Sequence, residues 1–361
     1  MEKEKKPKKT QLKGKLDTVD ITRMLNKMAG LQVSNIASKI DLEPDEWISS
    51  GCLLLDCLGN KNSRKGLIGA GKISEISGES GTAKTYVAIK LAVSAQKMGW
   101  DVIYYDSESA LSPTFIARSG ADPEKLVYCQ AKSVEFVMDS MIELLENNEN
   151  RMLFIWDSLA LTPTEHSLID IDPMSQIAMK PRLLGEGFSK MTQMIGNSRS
   201  HLLVINQLRT KIGAGKYDQD PFTIPGGKTI RYAYSSTLRL TRAEAKDSLH
   251  TDDRGNVDGT EITAVVTKSR FGTFKKKVKF QILWGEQVEY NEKPYWLDVI
   301  SEHPSIKSGT WWTLTYPDGT EKKFQKATFA DTLDADPKFY KRVIELIDIE
   351  LTQKKNTDET E

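Results

Sequence analysis

The sequence has little cysteine and little histidine, with 3 and 4 residues respectively among 361. No pair of the cysteines Cys52, Cys57 and Cys129 has Cys-x-x-Cys spacing, so we expect neither a disulfide framework nor a zinc site. Buried thiols in a reducing cytoplasm are the favoured interpretation. The histidines are dispersed along the chain, which argues against metal ligation by histidine.

The sequence also lacks long apolar runs and an excess of charge of either sign. No run approaches the ~18 apolar residues of a membrane span, and no apolar segment of a secretory signal follows the lysine-rich N-terminus. Lys plus Arg and Asp plus Glu both number 50. Any contact with nucleic acid must therefore come from local basic patches. The length of 361 residues is enough for one large α/β domain with small appendages, or for two domains, and the 39% of hydrophobic residues predicts a globular chain with a core.

The most informative segment is a short loop between a predicted buried strand, Ile73–Ser77, and a predicted helix, Val87–Met98. The loop consists of Gly78, Glu79, Ser80, Gly81, Thr82, Ala83, Lys84 and Thr85. This is the phosphate-loop pattern: backbone N–H groups and the helix N-terminus bind phosphates, the lysine reaches the β- and γ-phosphates, and the threonine binds Mg²⁺. Ala83 stands where the pattern has glycine, and we expect a helix-like conformation that tolerates its methyl group. The alternative is a chance glycine-rich turn.

Apolar runs alternate with helical patterns after this loop, which predicts an α/β fold with a mostly parallel central sheet covered on both faces. The predicted strands are Asp101–Asp106, Leu126–Cys129, Met152–Asp157 and His201–Asn206. From Ser236 onward, alternating segments without long helices between them predict strands that extend the sheet antiparallel. A helix is predicted over Val134–Leu145.

Three polar residues follow strand ends, where ligands bind in open parallel sheets. Asp157 suits a carboxylate that holds the Mg²⁺ shell, and Glu108 suits one that activates the attacking water. Gln207 suits a sensor of the γ-phosphate, because its amide both donates and accepts. The alternatives are an N-cap or turn aspartate, a solvated loop glutamate, and a glutamine that satisfies loop backbone.

Two long segments leave this edge of the predicted sheet and are typical of loops that bind an anionic polymer. One is Thr164–Arg182; the other, Arg209–Arg231, is basic and glycine-rich and contains Lys211, Gly213 and Lys228. A third basic stretch, Lys268–Lys279, is either functional or a solvated strand edge.

The ends of the chain predict appendages. Residues 1–45 comprise a disordered basic tail, Met1–Lys15, and a helical oligomerisation arm over Asp17–Ile40 that must pack on the main domain or on a neighbouring subunit. Residues 46–288 form the main domain. Residues 289–361 form a small α+β module with a hairpin, Trp311–Phe324, a helix, Pro337–Leu351, and an acidic tail.

Taken together, these motifs resemble the RecA family of ATP-dependent recombinases, which includes bacterial RecA and phage recombinases of the UvsX kind. The phosphate loop is similar to the family's Gly-Pro-Glu-Ser-Ser-Gly-Lys-Thr. Further similar motifs are Asp106-Ser-Glu108-Ser-Ala110-Leu111, Asp157-Ser-Leu-Ala-Leu-Thr-Pro163, Ile205-Asn-Gln207-Leu-Arg209-Thr-Lys211-Ile212-Gly213, and Gly226-Gly227. The resemblance covers roughly Glu46–Trp284.

The resemblance implies roles for further residues. The two long segments would be DNA-binding loops. Arg182 and Arg209 would contact the DNA strand, and Ile212 would insert between base triplets. Lys268 and Arg270 stand where the family has a lysine pair that reaches the neighbouring subunit's ATP. The family's adenine contacts correspond to Ser112 and Phe115 here, where an Asp and a Tyr are usual.

The function implied by the resemblance is a DNA-dependent ATPase that uses ATP and Mg²⁺, polymerises as a helical filament on single-stranded DNA, and drives homologous pairing and strand exchange with double-stranded DNA. Single-strand-binding and mediator proteins are possible partners, in the cytoplasm of a bacterial cell or a phage-infected host. Two other functions stay open: a hexameric helicase or motor with the same core, and a non-hydrolysing ATP-binding regulatory assembly.

Overall fold

The computed structural model describes residues 17–29, 43–61, 64–169, 173–210, 222–223, 227–242, 249–252 and 254–353. The chain forms two compact units, Met1–Glu43 and Pro44–Glu361. In the first unit, helix α1 (Thr18–Ala29) leaves a set of large apolar side chains exposed, namely Val19, Ile21, Met24, Leu25 and Met28. The predicted disordered tail Met1–Lys15 lies outside the described residues. Among those that are described, no helix combines the length and the apolar character that crossing a membrane requires.

The first half of the second unit alternates strands with helices. Its elements are β1 (Trp47–Ile48), α2 (Leu53–Asp56), β2 (Ile68–Gly69), β3 (Lys72–Gly78), α3 (Lys84–Lys97), β4 (Asp101–Asp106), α4 (Pro113–Arg118), β5 (Leu126–Gln130), α5 (Val134–Asn147), β6 (Met152–Asp157), α6 (Glu165–Ile169), α7 (Pro173–Ser198) and β7 (His201–Gln207).

The second half is richer in strands. Its elements are β8 (Arg209–Thr210), β9 (Phe222–Thr223), α8 (Gly227–Ala233), β10 (Ser236–Arg242), β11 (Leu249–Thr251), β12 (Val257–Ser269), β13 (Lys277–Trp284), β14 (Val288–Asn291), α9 (Lys293–Ile300), β15 (Ile306–Lys307), β16 (Trp312–Thr315), β17 (Glu321–Phe324), α10 (Phe329–Ala335), α11 (Pro337–Asp348) and a π-helical turn (Ile349–Gln353).

The largest sheet among the described residues has the order β14-β13-β12-β10-β3-β7-β6-β4-β5, with β11 paired to β12. Strands β10, β3, β7, β6, β4 and β5 run parallel, and β12, β13 and β14 continue antiparallel. The mostly parallel sheet is thus confirmed. The prediction that the antiparallel part begins at Ser236 is wrong by one strand. Strand β10 is parallel to β3, because helix α8 makes the crossover within a segment predicted to be a loop.

Successive residues of the parallel strands alternate between two hydrophobic layers, as a sheet covered on both faces requires. On β6, Leu153 and Ile155 belong to the layer that contains α3, whereas Phe154 and Trp156 belong to the layer that contains α5 and α7. The first layer continues without a break into the C-terminal elements, where it includes Phe339. The proposed division into residues 1–45, 46–288 and 289–361 stays a prediction.

The C-terminal elements contain the predicted hairpin and helix. Strands β16 and β17 pair antiparallel around a turn in which Gly319 has a φ of 81°. Phe324, Phe329 and Phe339 form an aromatic triangle with ring centroids 5.1–5.8 Å apart beneath it. The side chain of Asp336 caps helix α11 by accepting from two backbone N–H groups of its first turn.

The carboxylate of Glu292 connects the C-terminal part of the second unit, Pro44–Glu361, to its N-terminal part. The side chain of Glu292 accepts hydrogen bonds from the backbone nitrogens of Leu53 at 2.8 Å and Leu54 at 2.9 Å, at the start of helix α2. The Cys52 thiol also donates to it, at 3.2 Å.

We expect Glu292→Gln to lower the free energy of unfolding by about 2 kcal/mol, because an NH₂ group would face backbone donors. Urea denaturation measures this. The exposed Glu302→Gln is the control, and an equal loss in both variants would contradict the assignment.

A second carboxyl group is buried inside the sheet. Glu75 on β3 is 1% exposed and accepts from Asn206 Nδ2 at 3.0 Å. Burial raises its pKa from an ordinary 4.5 to about 7. Between these two pH values, Glu75 keeps its proton in the folded protein and releases it in the unfolded chain. The stability that this proton contributes is complete below pH 4.5 and is lost as pH rises through 7, by up to about 3 kcal/mol.

We therefore expect the free energy of unfolding of Glu75→Gln, relative to that of the wild type, to increase from pH 4.5 to pH 8. Urea denaturation across this range measures the difference. The exposed Glu124→Gln should follow the wild type at every pH. Parallel curves for Glu75→Gln and the wild type would show that Glu75 does not titrate in this range.

Candidate nucleotide-binding site

A cavity of about 560 Å³ opens at the carboxyl ends of the parallel strands. The pairing register explains why the predicted residues meet there. Gly78 at the end of β3 pairs with Gln207 at the end of β7, and Asp106 at the end of β4 pairs with Asp157 at the end of β6. Glu108 follows β4 by two residues. Lys84, Thr85, Glu108, Asp157 and Gln207 all line the cavity.

The phosphate loop leaves no room for larger residues at its first glycine. A Cβ at Gly78 would lie 2.4 Å from Thr82 Oγ1 and 2.6 Å from the Leu240 carbonyl oxygen. Gly81 has a φ of 72°, which favours glycine. Thr82 Oγ1 and Lys84 Nζ both donate to the Glu79 carbonyl oxygen, at 2.8 and 2.7 Å, so the loop closes on itself.

Ala83 departs from the expected conformation. Its φ of 65° and ψ of 22° are left-handed, so the prediction of an ordinary helix-like backbone is wrong. An L-residue here carries steric strain of roughly 1–2 kcal/mol that glycine would avoid. The strained peptide lies directly before the first residue of helix α3 and therefore turns the loop into the helix N-terminus.

The residues expected to hold Mg²⁺ are in direct contact. Thr85 Oγ1 donates to Asp157 Oδ2 at 2.8 Å, and Tyr104 OH donates to the same oxygen at 2.5 Å. Burial raises the pKa of Asp157 above its ordinary value, against the opposing effect of these hydroxyl groups. Burial lowers the pKa of Lys84. Bound Mg²⁺ would favour the ionised form of Asp157, and a bound phosphate would favour the charged form of Lys84. The residues therefore fit a magnesium nucleotide.

Glu108 is held from several sides. Gln207 Nε2 donates to Glu108 Oε1 at 2.8 Å, and Ser158 Oγ donates to the same oxygen at 3.0 Å. The buried Asp106 shapes the loop that carries Glu108: its carboxylate accepts from the backbone nitrogens of Glu108 and Ser109, both at 2.8 Å. Sequence reasoning missed Tyr104, because it stands within an apolar strand pattern, and it missed Asp106, because only the structure shows that this carboxylate binds the backbone of the Glu108 loop.

The other end of the cavity is apolar and aromatic. Phe115, the predicted base contact, lines it, together with Tyr86, Arg118, Ile282, Trp284 and Val288, which were not predicted. Arg118 joins two walls of the cavity, helix α4 and the turn between β13 and β14. Its guanidinium donates to the carbonyl oxygens of Gly285 and Glu286 in that turn. Ser112 does not line the cavity; it is the N-cap of helix α4, accepting from the Phe115 nitrogen at 3.2 Å.

Lys268 and Arg270 lie away from this cavity. Lys268 pairs with Thr237, the second residue of β10, which pairs with Glu75 in the middle of β3, so it lies three residues further towards the amino ends of the parallel strands than Gly78. Lys268 Nζ donates to the carbonyl oxygens of Arg231 and Tyr234, at the end of helix α8. Arg270 donates to Tyr232 there at 2.8 Å. The structure does not bring these cations to the nucleotide site of their own chain.

The predicted DNA-binding residues are distributed over three elements. Arg182 is on helix α7, with an exposed ion pair to Glu186 at 3.1 Å. Arg209 begins β8, which pairs with β9, and Lys228 is in helix α8. Lys211, Ile212 and Gly213 lie outside the described residues. Thr164–Arg182 and Arg209–Arg231, both predicted to be long loops, thus contain helices α6, the start of α7, and α8.

No cluster of three or more His, Cys, Asp or Glu side chains suited to a metal occurs in the part of the chain that the structure describes. Cys52 and Cys57 are buried free thiols, as predicted, whereas Cys129 is partly exposed.

The close fit around Gly78 leads to a prediction. Gly78→Ala should lower the affinity for ATP, because the Leu240 backbone cannot yield and the loop must move. We also expect a loss of about 2 kcal/mol in the free energy of unfolding. Calorimetric titration with ATP and urea denaturation measure the two effects. Gly196→Ala on helix α7, where a Cβ would meet nothing within 4 Å, is the control. Unchanged ATP affinity in Gly78→Ala would contradict this account of the loop.

Comparison with known proteins agrees with this geometry. The RecA N-terminal domain family model matches residues 18–289. A protein named Protein RecA from Kineococcus radiotolerans is 28% identical over 309 residues, covering 85% of this chain and 84% of the relative. Proteins of the same name from Clostridium perfringens strain 13 and Streptomyces venezuelae are 28% and 29% identical, covering 74% and 75% of this chain and 72% and 68% of the relatives. Because the family model spans more than half of the chain, the protein belongs to the RecA family.

Proposed function

We propose that the protein is an ATP-dependent DNA recombinase. It forms a helical filament on single-stranded DNA, hydrolyses ATP when DNA is bound, and promotes homologous pairing and strand exchange. Membership of the RecA family supports this function. The single observation that carries it is the hydrogen bond from Gln207 to Glu108 at 2.8 Å, which connects the candidate catalytic carboxylate to the start of the basic segment at Arg209.

Each residue at the cavity has a chemical role in this proposal. Glu108 accepts a proton from the attacking water through Oε2, the carboxylate oxygen to which neither Gln207 nor Ser158 donates. Lys84 leaves the Glu79 carbonyl and neutralises charge on the β- and γ-phosphates. Thr85 and Asp157 would hold Mg²⁺, which would neutralise charge on the phosphates when bound.

The nucleobase occupies the apolar end of the cavity. Phe115 and Trp284 offer aromatic surfaces there, and the Arg118 hydrogen bonds keep the two walls together. Aromatic rings bind a base largely through stacking and burial of apolar surface. Because Ser112 is committed to capping helix α4, it is not part of our proposal for reading the base.

The cations Lys268 and Arg270 would complete the site between subunits. They would reach the γ-phosphate of the neighbouring protomer's ATP, which makes hydrolysis dependent on assembly. Arg209, Lys211, Ile212, Gly213, Lys228 and Arg182 would hold the single strand. Most of these contacts are to the phosphate backbone, so binding should weaken steeply with salt and depend little on sequence.

Replacement of the candidate base tests the catalytic assignment. Glu108→Gln should bind ATP and form filaments on single-stranded DNA, but its kcat for ATP hydrolysis should fall by at least about 100-fold, since the amide cannot accept the proton. A coupled ATPase assay with and without DNA measures kcat. The exposed Glu124→Gln is the control. Wild-type turnover in Glu108→Gln would rule out this role for Glu108.

Electron microscopy with single-stranded DNA and a slowly hydrolysed ATP analogue tests the assembly. Extended helical filaments support the recombinase function. Closed hexameric rings that unwind duplex DNA would instead favour a helicase, and hydrolysis that is negligible and unaffected by DNA would favour a regulatory assembly.

A further inference from the structure

One lysine of helix α7 is bound to the turn that follows the candidate magnesium ligand. Lys180 Nζ donates to the carbonyl oxygens of Leu159 at 3.0 Å, Ala160 at 3.1 Å and Thr162 at 2.6 Å. An ammonium group has three N–H donors, and three carbonyl oxygens of one turn accept them. Hydrogen bonds to a charged donor are stronger than those between neutral groups. The ammonium therefore holds the Ser158–Thr162 turn against the helix.

The same turn holds Glu108. Its first residue, Ser158, donates from Oγ to Glu108 Oε1 at 3.0 Å. Ser158 is itself fixed, because its nitrogen and carbonyl oxygen both bond to Ser107 Oγ at 2.9 Å. The far end of the turn is tied to the near end, since Thr162 Oγ1 donates to the Ser158 carbonyl oxygen at 3.0 Å. A displacement of the turn would therefore move the hydroxyl that positions Glu108.

The helix that carries Lys180 also carries a candidate DNA-binding residue. Helix α7 follows the Thr164–Ile169 segment and carries Arg182, a candidate DNA contact, two residues beyond Lys180. Glu108 Oε1 accepts a second hydrogen bond from Gln207, which precedes the other candidate DNA-binding segment. The carboxylate is thus connected to both segments, through Lys180 and the turn on one side and through Gln207 on the other.

We propose that Lys180 is a positioning residue for DNA-stimulated ATP hydrolysis: by holding the Ser158–Thr162 turn against helix α7, it makes the placement of Glu108 depend on what that helix binds. This inference rests on the proposed function. Lys180 touches neither the nucleotide cavity nor, in this assignment, the DNA. Its effect is therefore on kcat and not on the binding of either ligand.

The test compares Lys180→Met with Lys190→Met, which replaces an exposed lysine on the same helix. At saturating single-stranded DNA, we expect Lys180→Met to lower kcat about tenfold or more, since small displacements of a catalytic group have effects of this size. The KM for ATP and the Kd for a fluorescent oligonucleotide should change less than twofold. Lys190→Met should match the wild type in all three. Lys180→Gln, which keeps two N–H donors without the charge, should lie between the wild type and Lys180→Met.

Three outcomes would overturn the inference. One is wild-type kcat in Lys180→Met. Another is a joint loss of ATP affinity, DNA affinity and melting temperature, which indicates a general structural role. The third is a Lys180→Gln variant that is folded and fully active, and this variant decides the matter if Lys180→Met does not fold. A wild-type protein whose ATPase ignores DNA would refute the proposed function itself, and an intact DNA stimulation with an unaffected Lys180→Met would refute only the role of Lys180.

Discussion

The hydrogen-bonded register of four parallel strands is the constraint on which the rest of the structure depends. Gly78 opposes Gln207, Asp106 opposes Asp157, and Asp157 opposes Ile205, so the ends of β3, β7, β6 and β4 lie within two residues of one another at one edge. Apolar layers on both faces hold the strands in this alignment, since a shift by one residue would turn every core side chain to the other face. Residues distant in sequence thereby meet around one cavity, and the chemistry of the site is a consequence of core packing.

At that edge, one carboxylate oxygen of Glu108 connects the turn after β6 to the end of β7. Glu108 Oε1 accepts from Ser158, which follows the candidate magnesium ligand, and from Gln207, which precedes the basic segment. Both of these contacts come from side chains, whereas Asp106 and Ser107 bind the backbone beside them. The arrangement combines a rigid frame with contacts that can change, which is suited to sensing a ligand.

Much of the site could be predicted from the sequence, because strand ends in a parallel sheet are recognisable from apolar runs followed by polar residues. Glu108, Asp157 and Gln207 were found in this way. Tyr104 was not, since an apolar pattern does not reveal which strand residue carries a functional hydroxyl. The left-handed backbone of Ala83 also escaped prediction, because alanine normally signals an ordinary helix. The three carbonyl contacts of Lys180 arise from tertiary packing and have no signature in local sequence.

The antiparallel course of β12 has a consequence for assembly. The strand runs from the carboxyl ends of the parallel strands towards their amino ends, and Lys268 and the following Arg270 lie at its far end. In the proposed filament, each subunit would offer these cations on one side and its cavity on the other. A linear array of such subunits is directional. One terminus of the proposed filament would have a cavity without donated cations, and the fraction of complete sites would rise with the number of subunits. Nucleotide turnover per subunit would then report polymer length, and the two termini would lose subunits at different rates.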